Sequence, residues 1–444
     1  MSASADPTTT RIDPAAGPLS GHILCPPDKS ISHRCALFGA MSSGRVRIER
    51  YLLAQDSLST LAAVEALGAG VQRDGDTVVI DGVGLRGLKA PAGGKPVDVG
   101  NAGTLLRLLS GWIAGVPGLT VTLDGDDSIR TRPMGRVMDP LREMDAQLDA
   151  TDGKFAPVTV TGGTLRGIEY TLPMASAQVK SCVLIAGMLA EGETTVVEPV
   201  ASRDHTERML ASAGVPLTRD GDRITVRTTG ELQLPDTRVP GDPSSAAFPI
   251  AAALIVPGSK VDVDEVSTNW TRAGFVHIAR RMGAQIDGPV ETPGTPHTVA
   301  ETTATLSVSH GPLRGTTVDA HEVPLAIDEL PLVALLGCFA EAGEITTVRG
   351  AEELRVKETD RIAAVAEELG ALGGKITPTD DGFIVEGTGG LPGGTLHSRG
   401  DHRMAMIGAL AGLASRDGVD VIDMEAAEVS YPAFLDEMAA LQAR

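Results

Sequence analysis

Along this chain, apolar residues at helical spacing repeatedly give way to alternating residues around a tight turn. In residues 59–82 the run TLAAVEALGAGVQRDGDTVVIDG puts Leu61, Val64 and Leu67 on one helical face. Alternation on both sides of Asp74-Gly75 then predicts a hairpin. The same order returns in residues 135–162, 205–230, 277–311 and 360–387, and a final helix over 432–444 lacks its hairpin. Copies recur at roughly 70–90 residues, so each also holds a second helix and more strand. About six such units divide naturally into two lobes of three. The apolar stretches 246–257 and 330–340 are too short to span a bilayer and read as buried core helices.

The predicted fold class is α/β. A lobe boundary is expected at Val239-Pro240-Gly241-Asp242-Pro243, and the first lobe should begin near the stiff Pro26-Pro27. The expected division is a flexible tail over 1–20, a first lobe over 28–240, and a second lobe made of 21–27 plus 241–444. The first twenty residues are rich in Ser, Thr, Pro and Ala without an apolar core, which is unlike a signal peptide.

Composition narrows the function. A chain of 444 residues exceeds what one hydrophobic core supports. A net charge of −20 and 3% aromatic content argue against nucleic-acid binding. Cys25, Cys35, Cys182 and Cys338 are scattered with no CxxC pair, which suits a reducing cytoplasm and neither a disulfide framework nor a zinc site.

Against that acidic background, local clusters of Lys and Arg suggest a pocket for a small, highly anionic ligand. Lys29, Ser30 and Arg34 follow Pro26-Pro27 and open an apolar helix, where free backbone N–H groups favour anions. Gly100-Asn101-Ala102-Gly103-Thr104 enters LLRLLSGWIAG, and its glycines would let backbone approach a phosphate or carboxylate. Arg130 and Arg132 precede Pro133, a good first helical residue. Ser176, Gln178 and Lys180 open the run VLIAGMLA, and Arg203 lies in Ser202-Arg203-Asp204-His205. Each also suits a capped helix start facing solvent. Lys357, Glu358 and Arg361 are expected on one helix, where a surface ladder of ion pairs is the competing reading. Asp328-Glu329 enters a strongly apolar run, where an unpaired carboxylate would be costly. His402-Arg403 follows Asp401 and precedes MAMIGALAGLA.

Together these strings, in order and over nearly the whole chain past the tail, resemble the enolpyruvyl transferases. GNAGT, RPMG, DHTE, PGDPSS, RVKETDR and DHRMAM carry the likeness, most closely to the branch acting on shikimate 3-phosphate, and SAQVKS with SRDHTE resembles its class II bacterial subgroup. The resemblance implies two lobes of three βαβαββ units each, an inside-out α/β barrel, with ligands between lobes that close. It implies transfer of the enolpyruvyl group of phosphoenolpyruvate to the 5-hydroxyl of shikimate 3-phosphate, with no metal and no cofactor. By motif, Lys29, Ser30, Arg34, Ser176, Gln178 and Arg203 would hold shikimate 3-phosphate. Asn101, Gly103, Arg132, Lys357, Arg361, His402 and Arg403 would line the phosphoenolpyruvate site, with Lys29 reaching it too. Asp328 would contact the hydroxyl and Glu358 serve the carbon proton, assisted by Lys29 and His402. A cytoplasmic monomer without nucleic-acid or membrane partners is expected, inhibited by glyphosate because Gly103 stands where tolerant class II relatives carry alanine.

Two departures stand out. Ala177 replaces a family serine, a loss for which Lys180 or Arg203 would compensate, and Val429 stands where many members carry a lysine. The sister branch acting on UDP-N-acetylglucosamine uses a loop cysteine, and residues 124–138 contain none. A catalytically degenerate repeat scaffold would have no reason to gather Lys29, Arg132, Lys357 and Arg403.

Overall fold

Helices that are apolar on every side have no face to offer water, and here they form the centre of each folded unit. The computed structural model describes residues 8–298 and 300–442. These form two units: one holds residues 27–240 with the short stretch Gly294–Glu301, and the other holds residues 8–26, 241–293 and 302–442.

In the first unit, the central helices are Lys29–Met41, Gly103–Ala114 and Ala177–Gly187; in the second they are Pro243–Ile255, Leu330–Phe339 and His402–Ala414. Almost every residue past their first turns is buried. Gly111 shows how tightly two of them approach. A side-chain carbon there would lie 2.5 Å from the Cys182 carbonyl oxygen, so only glycine fits. The amphipathic helices Gln55–Ala66, Gly135–Glu143 and His205–Ser212 accompany the first set; Gly274–Arg281, Arg361–Ala371 and Phe434–Gln442 accompany the second.

The hairpins join small sheets of one pattern. Glu169–Thr171 runs parallel to Glu193–Val197, which pairs antiparallel with Arg223–Arg227 and, through it, with Leu217–Asp220. Along Phe155–Thr161 and Thr77–Asp81, buried residues alternate with half-buried ones, as expected where one sheet face lies on helices. Each unit thus contains three repeats of βαβαββ type, the last one in the chain without its own hairpin, in the α/β class expected.

Two repeats borrow strands from far along the chain. Ser20–Leu24 pairs in parallel with Lys260–Ser267, and Thr237–Arg238 with Arg45–Glu49. The third borrowing corrects the sequence reading of a flexible tail over 1–20. Thr9–Ile12 is a strand, antiparallel to Val419–Ile422, and it occupies the place of the hairpin missing from the last repeat. The edge of Val419–Ile422 would otherwise carry unpaired backbone groups. Residues 1–7 of that tail lie outside the described residues. A second correction concerns Gly294–Glu301, which groups with the first unit and not with 241–444. The reason is polar: Glu301 Oε1 lies 2.6 Å from His205 Nδ1, and Arg208 donates to the Ala300 carbonyl.

His33 gives the first unit a pH dependence. It is buried in the Lys29–Met41 helix with Nδ1 2.6 Å from Thr60 Oγ1. Burial, followed by the charges of Lys29 and Arg34, outweighs the pull of Asp56 and lowers its pKa to about 4. Between that value and about 6.5, the unfolded chain binds a proton that the folded chain refuses, so stability falls as pH drops through this window. We expect roughly 2–3 kcal/mol of destabilisation from this group by about pH 4.5. Denaturant unfolding of wild type and His33→Gln at neutral and acid pH measures it. Equal acid sensitivity in both proteins would rule it out.

Candidate active site

Within each unit, many of the residues singled out in the sequence lie at or beside the starts of its three central helices. A helix start carries free N–H groups and a partial positive charge, so several together favour anions.

In the first unit, Asp28 caps Lys29–Met41 by accepting from the Ile31 amide at 2.8 Å, and Ser176 caps Ala177–Gly187. Lys29 and Ser30 are half-buried at the first of these ends, with Lys29 Nζ 3.1 Å from Asp56 Oδ2. Gln178 joins two helix starts, donating to Thr104 Oγ1 at 3.0 Å and accepting from Arg107. Asn101 donates to Asp126 Oδ2 at 2.8 Å and accepts from Arg132 at 2.7 Å. Gly103 faces the same guanidinium: a methyl group built there would be 3.4 Å from Arg132 Nη1 and 3.4 Å from Arg107 Nη1. Arg203 is half-buried in the loop before His205–Ser212.

Arg34, expected to hold shikimate 3-phosphate, has three protein partners. It is buried, and it donates to Thr206 Oγ1 at 2.7 Å, Ser181 Oγ at 2.9 Å and the Ser30 carbonyl at 3.0 Å. Its guanidinium thereby ties three helices together. Lys180 cannot stand in for the hydroxyl missing at Ala177, because its side chain is fully buried between Glu198 and Glu207.

In the second unit, Ser244 donates to Glu329, which lies 3.8 Å from Arg403 Nη1, so all three central helix starts are linked. Arg272 braces the start of Pro243–Ile255, 2.7 Å from both Asp242 Oδ1 and Ser244 Oγ. The acid–base candidates converge on Arg361, a guanidinium with 1% side-chain exposure. It lies 2.8 Å from Asp401 Oδ2, 2.7 Å from Glu358 Oε2 and 3.4 Å from Asp328 Oδ1. Burial would lower its affinity for a proton, but the Asp401, Glu358 and Asp328 charges raise it further. Burial likewise would raise the Asp401 carboxyl, yet Arg361 and His402 hold it below the usual carboxylate range. Asp328 also has Lys357 at 3.8 Å and Arg403 at 4.0 Å. His402 and Arg403 begin their helix under the Asp401 cap and are mostly buried.

The expected helix over Lys357–Arg361 is corrected. Glu352–Val356 is a short 3-10 turn, Lys357 and Glu358 lie in the connection, and only Arg361 is helical. Asp360 stops any continuous helix: its backbone is extended, its side chain accepts from the Ala363 amide, and Arg355 binds it at 2.7 Å. From that connection Lys357 Nζ still lies 3.8 Å from Asp328 Oδ1.

Sequence reasoning passed over Arg107, Arg272 and Asp56. Arg107 and Arg272 had a signal, a lone arginine among apolar or aromatic neighbours, where burial requires partners. Asp56 had none. The chemistry available is clear. Cations and helix starts of this kind favour an anionic ligand, and two partly exposed carboxylates among cations are able to exchange protons.

The family model described as EPSP synthase (3-phosphoshikimate 1-carboxyvinyltransferase) matches residues 14–438. The 3-phosphoshikimate 1-carboxyvinyltransferase of Shouchella clausii is 45% identical over 440 residues, covering 98% of this chain and all of that protein. That of Bacillus thuringiensis subsp. konkukian is 44% identical, covering 96% of this chain and 98% of its own. Among solved structures, EPSP synthase from Acinetobacter baumannii superposes with a TM-score of 0.83 at 39% identity, covering 97% of each chain. The enolpyruvyl transferase NikO from Streptomyces tendae shares the fold, with a TM-score of 0.77 at 19% identity over 99% of this chain and 98% of its own.

Proposed function

The chain belongs to the EPSP synthase family, and from that premise we propose how its residues divide the work of the reaction. The enzyme transfers the enolpyruvyl group of phosphoenolpyruvate to the 5-hydroxyl of shikimate 3-phosphate and releases phosphate. In the addition step the hydroxyl oxygen bonds to the central carbon of phosphoenolpyruvate, the hydroxyl loses its proton, and the methylene carbon gains one. In the elimination step the bond to phosphate breaks and the new methyl group returns a proton. The reaction therefore needs two proton-handling groups within a field of cations.

Asp328 takes the hydroxyl proton and Glu358 serves the carbon, with Lys29 and His402 assisting. The observation that carries this reading is their shared anchor, Arg361, which holds both carboxylates with one buried guanidinium. Lys29, Ser30, Ser176, Gln178 and Arg203 hold shikimate 3-phosphate. Asn101, Gly103, Arg132, Lys357, His402 and Arg403 serve phosphoenolpyruvate. Arg34 and Arg361 act mainly through the protein, because protein acceptors already occupy them. All four cysteines are buried and free, which suits a cytoplasmic setting. Phosphate release with both substrates, and calorimetric titration with shikimate 3-phosphate followed by phosphoenolpyruvate, test the assignment. Phosphate release that proceeds without shikimate 3-phosphate would reject it.

Glyphosate, a mimic of phosphoenolpyruvate in this family, is expected to inhibit well below millimolar concentration. Gly103 supports this, because it puts no side-chain carbon of its own beside Arg132. The distances of 3.4 Å show that a methyl group fits without displacing the fold. Gly103→Ala should therefore remain folded while crowding the longer inhibitor against Arg132. Two features oppose this: Leu108 stands where many sensitive members have proline, and Val429 supplies no cation. One lost charge-assisted contact is worth roughly tenfold in affinity, and we expect the steric effect to exceed it. Inhibition constants against phosphoenolpyruvate should rise at least about tenfold in the variant, a difference of about 1.4 kcal/mol or more. Millimolar inhibition of wild type, or an unchanged constant in Gly103→Ala, would defeat the proposal.

A further inference from the structure

Lys180 lies in the first turns of the Ala177–Gly187 helix, and its side chain has no solvent exposure. Its Nζ is 2.8 Å from Glu198 Oε1, 2.7 Å from Glu207 Oε1 and 3.4 Å from the Ser202 carbonyl oxygen. Both carboxylates are fully buried as well, so one ammonium stands between two carboxylates. Apart from that ion pair, the Glu207 oxygens receive no hydrogen bond from the described residues. Burial would strip the proton from Lys180, but the charges of Glu207 and Glu198 outweigh it and keep the ammonium charged. For packing alone, apolar side chains would fill this space at less cost in desolvation. What they could not do is hold a backbone.

The backbone in question flanks Arg203. Glu198 Oε1 accepts from the Ser202 amide at 3.0 Å and from the Ser202 hydroxyl, while the Ser202 carbonyl faces Lys180. All the polar atoms of Ser202 therefore bind this one buried cluster. On the far side of Arg203, the Asp204 carboxylate takes Arg208 Nε at 3.0 Å, and its carbonyl begins the His205–Ser212 helix. Arg203 sits between these two fixed residues, half-buried itself. The helix that carries Lys180 also carries Ser176 and Gln178 at its start.

We propose that Lys180 is a positioning residue for Arg203: through Glu198 it fixes the Ser202 backbone, and with it the direction in which Arg203 presents its guanidinium to the phosphate of shikimate 3-phosphate. This rests on the assignment of Arg203 to that substrate made above. Lys180 touches neither substrate and acts on binding, so its loss should appear in KM for shikimate 3-phosphate and much less in KM for phosphoenolpyruvate or in kcat.

Steady-state kinetics on a double-mutant cycle test it. Arg203→Ala should raise KM for shikimate 3-phosphate about tenfold or more, and Lys180→Met about fivefold. In the Arg203→Ala background, Lys180→Met should add less than about twofold, since the residue it positions is gone. Removing Lys180 leaves the buried Glu207 without its ion-pair partner and Glu198 with only Arg219, at 3.5 Å, so Glu198→Gln and Ser202→Ala provide milder versions. If Lys180→Met does not fold, a rise of about threefold in both, again absent in the Arg203→Ala background, supports the same conclusion. The proposal is overturned by an unchanged KM in folded Lys180→Met, by unchanged values in both milder variants where Lys180→Met does not fold, or by a fall confined to kcat. It is equally overturned by an effect that multiplies in full with Arg203→Ala. An unchanged KM in Arg203→Ala by itself would reject the role of Arg203, a result distinct from any of these.

Discussion

Asp328→Asn and Glu358→Gln should each lower turnover by about 10²-fold or more while leaving shikimate 3-phosphate affinity nearly intact. Both substitutions preserve shape and an oxygen acceptor, so the Arg361 contacts at 3.4 Å and 2.7 Å can persist. What disappears is the ability to take and return a proton. General acid–base groups contribute on the order of 10²–10⁴ in rate, so a loss of that size is the signature of proton transfer. Side-chain exposure of 18% for Asp328 and 26% for Glu358 leaves both able to meet a ligand. Asp401, fully buried on the same guanidinium, is instead a structural anchor. Turnover measured beside calorimetric affinity separates the two effects. Near-normal turnover in both variants would remove them from the chemistry, and a matching loss of affinity would make them binding residues.

Arg361→Met should cost about 3–5 kcal/mol of stability and nearly all activity. The guanidinium sits among Asp401, Glu358 and Asp328, and the first of these is buried with it. Removing one partner of a buried pair leaves an uncompensated charge, which is far costlier than the pair is valuable. Asp401 also caps the His402–Ala414 helix by accepting from the Arg403 amide at 2.9 Å, so its displacement would move His402 and Arg403. Arg361→Lys keeps the charge but cannot fork onto three carboxylates, and should fall between wild type and Met. Denaturant midpoints and kcat measured on all three proteins check this. A Met variant as stable as wild type would show that the guanidinium is not the keystone of this cluster.

The six repeats were legible because their signals are local. Leu61, Val64 and Leu67 report a helix, and Asp74-Gly75 reports a turn, without reference to any distant residue. The central helices could be read in the same way, since a run such as residues 246–255 is apolar on every side and can only be interior. The long motif strings brought Lys29, Arg132, Arg203, Asp328 and Arg403 into view together, and Lys29 and Arg403 stand at helix starts marked by the capping residues Asp28 and Asp401. Reading the tail from composition alone missed Thr9–Ile12, whose partner strand begins at Val419, hundreds of residues away. Treating Lys357–Arg361 as helical failed because the Asp360 cap was not weighed against the apolar spacing that follows it.

By itself, then, the sequence determined the repeat, the α/β class, the central helices and the residue types of the site. Only the tertiary structure decided which charges face one another. Arg34 and Arg361 stand out on paper as cations, and folding packs them against Thr206 and Ser181, and against Asp401, Glu358 and Asp328. Lys180 looked like a spare cation and is instead enclosed by Glu198 and Glu207. The physical reason is that periodicity records how often a residue turns inward, whereas the partner of a buried charge is chosen by folding segments remote in sequence against each other. A lone arginine carries the same local signature whether it waits for a phosphate or already holds a carboxylate.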